Sequence, residues 1–341
     1  MNQGFWKKLS AQGGSASGRK KPIFALAPLA NVTDAAFRQI IAKYGKPDIM
    51  WTEFVSADGL FMGLDRSETD GQGGREALMQ DLSYSEKERP IVAQFFTANP
   101  ENMKKAAELA KKLKFDGVDI NMGCPDRSVE KQGAGAALMK NPKLARKLIR
   151  AAKEGAGDLP VSVKTRIGYK VNEIETWLPE LLAEEPAAVI IHARTRKEMS
   201  GVPAHWDVIK RAVLIRDSLK SNTLILGNGD SLNISDAKEK AKETGADGVM
   251  LGRAIFGNPW LFDTRKKKVS KEEKLKVMVE NTLLFEKIFK NKKNFAVMKK
   301  HLKAYVSGWE GAKELRIRLM EAKNAKEVKN ITFSYLKTKP V

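Results

Sequence analysis

The sequence predicts an α/β protein, a (β/α)8 barrel (TIM barrel) followed by a small C-terminal all-helical domain. Eight short runs of β-branched and apolar residues, each suited to a buried strand, occur between residues 23 and 253. Helical patterns separate most of these runs, and from about Ser270 only helical patterns remain. The chain has 341 residues, enough for one domain of roughly 250 residues and a second, smaller one.

Residues 1–22 form an N-terminal segment before the predicted barrel. Within it, AQGGSASG at residues 11–18 is typical of a flexible glycine and serine stretch. The opening MNQGFWKKLS lacks the apolar centre of a signal peptide, and no apolar stretch approaches the ~20 residues that span a bilayer. We therefore expect a soluble, cytoplasmic protein without membrane contact. No obligate protein partner is indicated, and we expect a monomer.

The predicted barrel occupies residues 23–262. Its eight strand-like runs are IFALAP from Ile23, DIMWTEFV from Asp48, IVAQFF from Ile91, GVDINMG from Gly117, VSVKTRIG from Val161, AVIIHAR from Ala188, TLILGNG from Thr223 and GVMLGR from Gly248. A doubly wound sheet is the structural alternative. That fold rarely needs eight regular units, and no GxGxxG motif follows the first run.

The helices between these runs are indicated by their end signals. TDAAFRQIIAKYG begins with Thr-Asp and ends at Gly45, with apolar residues at helical spacing. Asn99-Pro100 and Asn141-Pro142 each combine a capping residue with a proline at the first helical position. The segment ISDAKEKAKETG precedes the last strand. These signals predict helices that alternate with the strands.

The C-terminal part is predicted to be helical and strongly basic. Residues 263–270, DTRKKKVS, are the expected linker, and residues 271–341 the helical domain. Its three amphipathic segments are KEEKLKVMVENTLLFEKIFK, NFAVMKKHLKAYVSGW and GAKELRIRLMEAKNAKEVKNI. Residues 265–341 hold 22 Lys and Arg against 8 Asp and Glu, so that +14 of the net charge of +20 lies there. This asymmetry indicates a polyanionic partner such as nucleic acid, although a solvated helical surface is the other interpretation.

Polar residues follow or end most of the predicted strands. Active sites of such barrels lie at the carboxyl ends of the strands, so these side chains should converge on one mouth. They are Gln94, Asn121, Cys124, Lys164, Arg166, His192, Arg194, Asn228, Asp230 and Arg253. Any one of them could be structural, but a lysine within an apolar strand is almost never fully buried without a partner.

Glycines at the ends of strands seven and eight indicate a phosphate site. The segments GNGD and LGR place bare backbone N–H groups on adjacent loops, and Arg253 can add a charged contact. The cation Lys164 would lie deeper, beside an anionic ring. A phosphate and a ring that needs positive charge suggest flavin mononucleotide (FMN), although the residues alone indicate only a phosphorylated ligand.

Several segments together resemble the tRNA-dihydrouridine synthases, flavin-dependent enzymes that reduce uridines in transfer RNA. They are ALAPLANVTDAAFR, VDINMGCPDRSVEKQGAGAALMKNP, VSVKTRIGY, IIHARTR, LGNGD and GVMLGRAIFGNPWLF. The match covers nearly the whole barrel in the right order. The tail matches by architecture and charge. One departure is Leu29-Ala30-Asn31, where the family usually has methionine and then Ala/Glu-Gly.

The resemblance implies a role for each matched residue. FMN would be bound by Pro28, Leu29, Ala30, Gln94, Lys164, His192, Asn228, Gly229, Asp230, Gly252 and Arg253. Asn121 and Arg166 would contact the target uracil, and the basic tail would bind tRNA. NADPH (or NADH) would reduce the flavin, and no metal is implied.

The resemblance also implies why the single cysteine of the chain follows strand four. One cysteine excludes an intrachain disulfide and a multi-cysteine metal site, and it suits a reducing compartment. Hydride would pass from the flavin to uracil C6, and the Cys124 thiol would donate a proton to C5 as a general acid. This role needs a protonated thiol at neutral pH, and hence a normal or raised pKa.

Two other functions remain open from the sequence. A flavin-dependent barrel that acts on a free pyrimidine, such as a dihydroorotate-type dehydrogenase, shares the phosphate loops but has no use for the basic tail. An RNA-binding module on an inactive barrel would not need Cys124 or Lys164. A yellow protein would argue against the second, and oxidation by tRNA but not by free uracil would exclude the first.

Overall fold

The computed structural model describes residues 4–11, 21–61, 74–290 and 292–338. Its sheet has eight parallel strands in the order β1-β8-β7-β6-β5-β4-β3-β2. They are β1 Ile23–Leu26, β2 Met50–Ser56, β3 Ile91–Phe96, β4 Gly117–Met122, β5 Val161–Arg166, β6 Ala188–His192, β7 Leu224–Asn228 and β8 Gly248–Leu251. A parallel bridge between Ala25 and Ile49 joins the first strand to the second. The ring is therefore closed, and the prediction of a (β/α)8 barrel is confirmed.

The helices cover the outside of the barrel and form the C-terminal part. They are α1 Gly4–Ala11, α2 Ala35–Tyr44, α3 Ala57–Phe61, α4 Arg75–Asp81, α5 Pro100–Lys112, α6 Arg127–Lys131, α7 Pro142–Ala156, α8 Ile174–Leu182, α9 Trp206–Ser218, α10 Ile234–Thr244, α11 Lys271–Phe289, α12 Met298–Tyr305, α13 Ala312–Glu321 and α14 Ala325–Thr338. Short 3-10 turns occur at Glu86–Glu88, Gly135–Lys140, Arg253–Ile255 and Phe295–Val297.

The predicted helix starts and stops are confirmed in the structure. The Asn99 side chain accepts hydrogen bonds from the first backbone N–H groups of α5, and the Asn141 side chain does the same for α7. Asp34 caps the start of α2, and Gly45 directly follows its last residue as the C-cap. Each cap satisfies N–H groups that have no partner within the helix.

Helix α1 closes the barrel at the amino ends of the strands, which the sequence did not predict. Its Trp6 is 1% exposed and belongs to a buried cluster with Trp51 and strand residues that face the barrel interior. The two indole rings lie 6.2 Å apart between centroids. The glycine and serine stretch predicted at residues 11–18 lies outside the described residues, except for Ala11, which ends α1.

The C-terminal helices pack against the α2 side of the barrel and share its core. Glu280 of α11 accepts hydrogen bonds from Lys43 Nζ and Tyr44 Oη of the barrel, both at 2.6 Å. Residues 263–270 contain neither helix nor strand. Among the described helices, none is long and apolar enough to cross a bilayer.

The prediction of a single third helix in the tail is wrong, because two helices, α13 and α14, occupy this segment. The chain leaves helical geometry at Ala322, which has φ −61° and ψ 134°. Asn324 then accepts a hydrogen bond from the N–H of Glu327, 2.9 Å away, at the start of α14. A side chain that hydrogen-bonds to the backbone of a nearby residue in this way competes with the hydrogen bonds that would continue the helix.

A buried ion cluster attaches the tail to strand β2 and helix α4. Lys293, between α11 and α12, places its Nζ 3.0 Å from Glu53 Oε2 and 2.7 Å from Asp81 Oδ1. The Lys293 side chain is only 17% exposed. Glu53 directly precedes Phe54, which lines the cavity described below, so the tail is tied to one wall of that cavity.

Candidate active site

A cavity of about 780 Å³ opens at the carboxyl ends of the strands. All of the residues that the sequence singled out as catalytic, cofactor-binding or substrate-binding line it, from Pro28 after β1 to Arg253 after β8. Their convergence follows from the parallel barrel, in which every strand ends at the same face. Phe54, Met199 and Ser231 also line it and were not predicted. Arg194 lines it too, and the sequence had placed it at this mouth without a role.

The ends of β7 and β8 present unused hydrogen-bond donors. The backbone N–H groups of Gly229, Gly252 and Arg253 donate no hydrogen bond within the described residues. The Ser231 hydroxyl is buried there and has no hydrogen-bond partner in the part of the chain that the structure describes. Gly229 has φ +131°, a conformation that side-chain-bearing residues rarely adopt, and a Cβ there would lie 2.8 Å from Ala204 Cβ. Together these groups are suited to bind an anion.

The carboxylate of Asp230 is already occupied by two arginines. It accepts a hydrogen bond from Arg194 Nη2, and its other oxygen lies 2.5 Å from Arg253 Nη2. The Ala204 N–H donates to it as well, at 2.9 Å. Burial opposes ionisation, but these hydrogen bonds and charges lower the pKa of Asp230. The side chain therefore orients the two cations at the anion site.

Lys164 is a half-buried cation that lines the cavity. Its Nζ donates to Asn228 Oδ1 at 3.3 Å, and Asn228 Nδ2 in turn donates to the Met250 carbonyl at 2.8 Å. Burial lowers the pKa of Lys164 to about 8, with Arg166 as a further cause. The amine is therefore mostly protonated at pH 7 and loses its proton as the pH rises through about 8.

His192 is held in the neutral form. Burial, together with the positive charges of Arg166, Lys164, Arg194 and Arg253, lowers its pKa to about 2. Its Nε2 lies 3.2 Å from Arg194 Nη1. Because a guanidinium only donates, Nε2 must accept, and the ring proton is on Nδ1. A neutral histidine among four cations shows that the cavity favours an anion.

The loop after β4 holds Cys124 over the cavity. Asn121 Oδ1 accepts from the N–H groups of Gly123, at 3.1 Å, and Cys124, at 2.9 Å. The Cys124 carbonyl accepts from the Ala136 N–H at 2.9 Å. Gly135 has φ +59°, and a Cβ there would come within 2.7 Å of that carbonyl. The segment at residues 133–138, GAGAAL, thus holds the Cys124 loop in place through its contacts with the Cys124 carbonyl.

The thiol of Cys124 stays protonated at neutral pH. Burial is the largest influence and raises the pKa of Cys124 above its ordinary value. Arg166 and Lys164 act in the opposite direction without overcoming burial. The arrangement favours a proton donor over a thiolate nucleophile.

Arg166 joins the loops after β4 and β6. Its Nε donates to the Gly123 carbonyl at 2.8 Å, and its Nη1 donates to the carbonyls of Thr195, at 3.0 Å, and Met199, at 3.1 Å. Among the described residues no hydrogen bond uses Nη2. Burial lowers the pKa of Arg166 to about 10, so it remains charged. One edge of the guanidinium is left for a ligand.

Gln94 has a buried acidic partner that the sequence analysis missed. Gln94 Nε2 donates to Asp119 Oδ2 at 2.7 Å, and both residues are fully buried. Asp119 is on β4, two residues before Asn121, and its side chain faces the barrel interior like that of Asn121. The alternation of strand side chains was the available signal.

Comparison with known proteins gives a consistent result along the whole chain. A family model described as Dihydrouridine synthase matches residues 25–338. A protein named probable tRNA-dihydrouridine synthase 2 from Bacillus subtilis (strain 168) is 37% identical over 96% of this chain and 95% of its own. A probable tRNA-dihydrouridine synthase from Staphylococcus aureus (strain COL) is 36% identical over 96% of this chain and 94% of its own.

Among solved structures the likeness is one of fold. A histamine dehydrogenase from Rhizobium sp. 4-9 superposes with a TM-score of 0.54 at 13% identity, over 76% of this chain and 48% of that chain. A 2-naphthoyl-CoA reductase superposes with a TM-score of 0.52 at 10% identity, over 73% and 50%. The family model and the relatives, in contrast, match nearly the full length. The chain belongs to the dihydrouridine synthase family.

Proposed function

We propose that this enzyme reduces specific uridines in tRNA to 5,6-dihydrouridine, with FMN in the barrel mouth and NADPH (or NADH) as the reductant. One observation carries the proposal. The single thiol of the chain and the Lys164 amine line the same cavity as the hydrogen-bond donors at the ends of β7 and β8. A proton donor, a cation and an anion site are what a flavin-dependent reduction of uracil requires.

The residues present suit a flavin that ends in one phosphate. The unpartnered Ser231 hydroxyl and the free N–H groups of Gly229, Gly252 and Arg253 match the acceptor oxygens of a phosphate. Arg194 and Arg253, held by Asp230, supply the counter-charge. Pro28, Leu29 and Ala30 also line the cavity, and Leu29 lies beside Gly252, where an added Cβ would come within 3.8 Å of Leu29 Cδ2.

Lys164 stabilises negative charge on the ring. A bound reduced flavin supplies the hydride that goes to C6 of uracil. The Lys164 ammonium lines the same cavity as the anion site and is mostly charged at pH 7, so it would favour the anionic reduced state. Gln94 holds the ring edge, and neutral His192 contacts the ring or its side chain without adding charge.

Cys124 is the acid of the second half-reaction. Its raised pKa keeps the proton on Sγ until uracil C5 is beside it, and the proton then moves to C5. Asn121 and the free edge of Arg166 are the groups available to hold the uracil. Since Arg166 also binds the loops on both sides, the same side chain shapes the pocket and contacts the base.

The uridine must leave the folded tRNA to enter this cavity. Enzymes that modify bases extrude them at a cost of a few kcal/mol. The basic tail, with 22 Lys and Arg against 8 Asp and Glu in residues 265–341, provides phosphate contacts that offset this cost. The relatives named tRNA-dihydrouridine synthases support tRNA as the substrate.

The test is oxidation of the reduced protein under anaerobic conditions. After reduction with NADPH, unmodified tRNA should restore the absorbance of oxidised flavin and gain dihydrouridine. The same tRNA already saturated with dihydrouridine is the matched control and should oxidise slowly. Oxidation by free uracil or orotate at the rate of tRNA would favour the free-pyrimidine dehydrogenase instead.

A further inference from the structure

A chain of side-chain hydrogen bonds runs from the barrel centre to the cysteine loop. Asp119 accepts from Ser162 Oγ at 2.6 Å and from Gln94 Nε2 at 2.7 Å. Gln94 Oε1 accepts from Asn121 Nδ2 at 3.2 Å. Asn121 Oδ1 accepts from the Cys124 N–H at 2.9 Å. Three buried side chains thus connect the barrel centre with the proposed acid.

The two ends of this chain determine the orientation of the amides between them. The backbone N–H of Cys124 can only donate, and an ionised Asp119 can only accept. Burial raises the pKa of Asp119 to about 6, so it is ionised at pH 7 and above. Of the two orientations open to each amide, only one combination pairs every donor with an acceptor. That combination is the observed one.

We propose that Asp119 is a positioning residue, which sets the direction of this chain and thereby holds the Cys124 loop in its reactive position. The proposal rests on the proposed role of Cys124 as the acid. Asp119 has no exposed surface, and it does not line the cavity, so it acts through Gln94 and Asn121.

Reversing the chemistry at Gln94 is the informative perturbation. Gln94→Glu places a second carboxyl group opposite Asp119; the two share a proton until the pH is high enough to ionise both, and two acceptors then face each other and repel, so the assays are run at alkaline pH. The group at position 94 then loses its anchor, and Asn121 loses its fixed partner. Adding Asp119→Asn supplies an N–H at position 119 that donates to the new carboxylate, whose other oxygen still accepts from Asn121. The double variant restores the direction of the chain.

Two measurements report whether the Cys124 loop is held in position. The first is single-turnover oxidation of the reduced protein by unmodified tRNA, and the second is the rate at which iodoacetamide alkylates Cys124. Misplacement by about 1 Å can cost on the order of 100-fold in rate, so Gln94→Glu should slow tRNA-dependent oxidation by about that factor. Alkylation should become faster as the loop loosens. Lys8→Ala, an exposed change on helix α1 outside this hydrogen-bond chain, is the control and should resemble wild type in both assays.

The double variant decides between positioning and packing. If Asp119 sets the direction, the double variant should recover to within about tenfold of wild type in oxidation and regain slow alkylation. A double variant that is as impaired as Gln94→Glu would overturn the proposal. Should Gln94→Glu alone not fold, a folded double variant with slow alkylation supports it, and failure of both overturns it.

Failure of the proposed function would look different. In that case tRNA would not oxidise even the reduced wild-type protein. The alkylation rates, which need no tRNA, would still report whether position 119 controls the cysteine loop.

Discussion

Cys124 offers a way to separate the two half-reactions. Cys124→Ala should keep flavin content and the rate of reduction by NADPH, because in the proposed mechanism the Cys124 thiol lines the cavity and forms no bond to the flavin. Reoxidation by tRNA should fall by about 10²–10⁴-fold, the usual contribution of a general acid. The measurement is single-turnover reoxidation by unmodified tRNA. A loss smaller than about tenfold would mean that Cys124 is a packing residue and that another group supplies the proton.

Lys164 should give the reductive half-reaction a pH limit. Burial lowers the pKa of Lys164 to about 8, so the cation is present below that pH and is lost as pH rises through it. The rate of flavin reduction by NADPH should therefore decline above about pH 8. Stopped-flow reduction across pH 6–10 tests this. The flavin of Lys164→Met should be reduced slowly at every pH, and the rate should not decline above about pH 8. If the rate of the variant still declines there, another group is responsible for the decline.

At the scale of single residues, the sequence could predict location better than partnership. Every predicted site residue lines the cavity because parallel strands end at one face, a rule that needs no tertiary detail. Arg194 pairs with Asp230 across 36 positions, and Gln94 pairs with Asp119 across 25. Closure of the barrel brings such distant residues together, so their pairing depends on the tertiary structure. The orphan Ser231 hydroxyl was likewise invisible in a list of residues.

At the scale of helices and strands, local signals were sufficient where the structure is local. Asn99 and Asn141 mark helix starts because each side chain binds N–H groups two or three residues away. The break at Ala322 was missed because both flanking segments keep helical spacing. Helix α1 was missed because its apolar face is short and its partner, Trp51, lies 45 positions further along the chain.

Helix α1 should contribute to stability through one side chain. Trp6 is 1% exposed and fills the barrel interior beside Trp51, so Trp6→Ala should lower the free energy of unfolding by about 3–5 kcal/mol. Urea denaturation followed by circular dichroism measures this. Lys8→Ala, an exposed change on the same helix, should alter it by less than about 0.5 kcal/mol. Equal effects would mean that α1 does not pack as described.

At the scale of the whole molecule, the tail and the barrel are joined by charge as well as by apolar contact. Lys293→Met would leave Glu53 and Asp81 buried without their cation. Removing one partner of a buried ion pair costs about 3–5 kcal/mol, and the partial exposure of Lys293 favours the lower value. The neighbouring Lys292 pairs with Glu76 at the surface, so Lys292→Met is the matched control and should leave the urea midpoint unchanged.

That comparison has a clear contrary result. If the two variants unfold at the same urea concentration, Lys293 does not hold the tail. If Lys293→Met is less stable but its tRNA-dependent oxidation is unchanged, the cluster secures the tail without affecting its alignment with the cavity.

The closure of the barrel at the amino ends of the strands has a consequence for the order in which the reactants bind. Trp6 and the interior cluster fill the barrel beneath the site, so within the described residues the cavity is reached from the strand carboxyl ends. In the proposed mechanism the nicotinamide of NADPH and the target uracil reach the same flavin ring through that opening, so we expect the two reactants to alternate. Steady-state rates should then follow a ping-pong pattern, with parallel double-reciprocal lines at different NADPH concentrations, and high NADPH should inhibit competitively against tRNA. Intersecting lines would mean that both reactants bind at once.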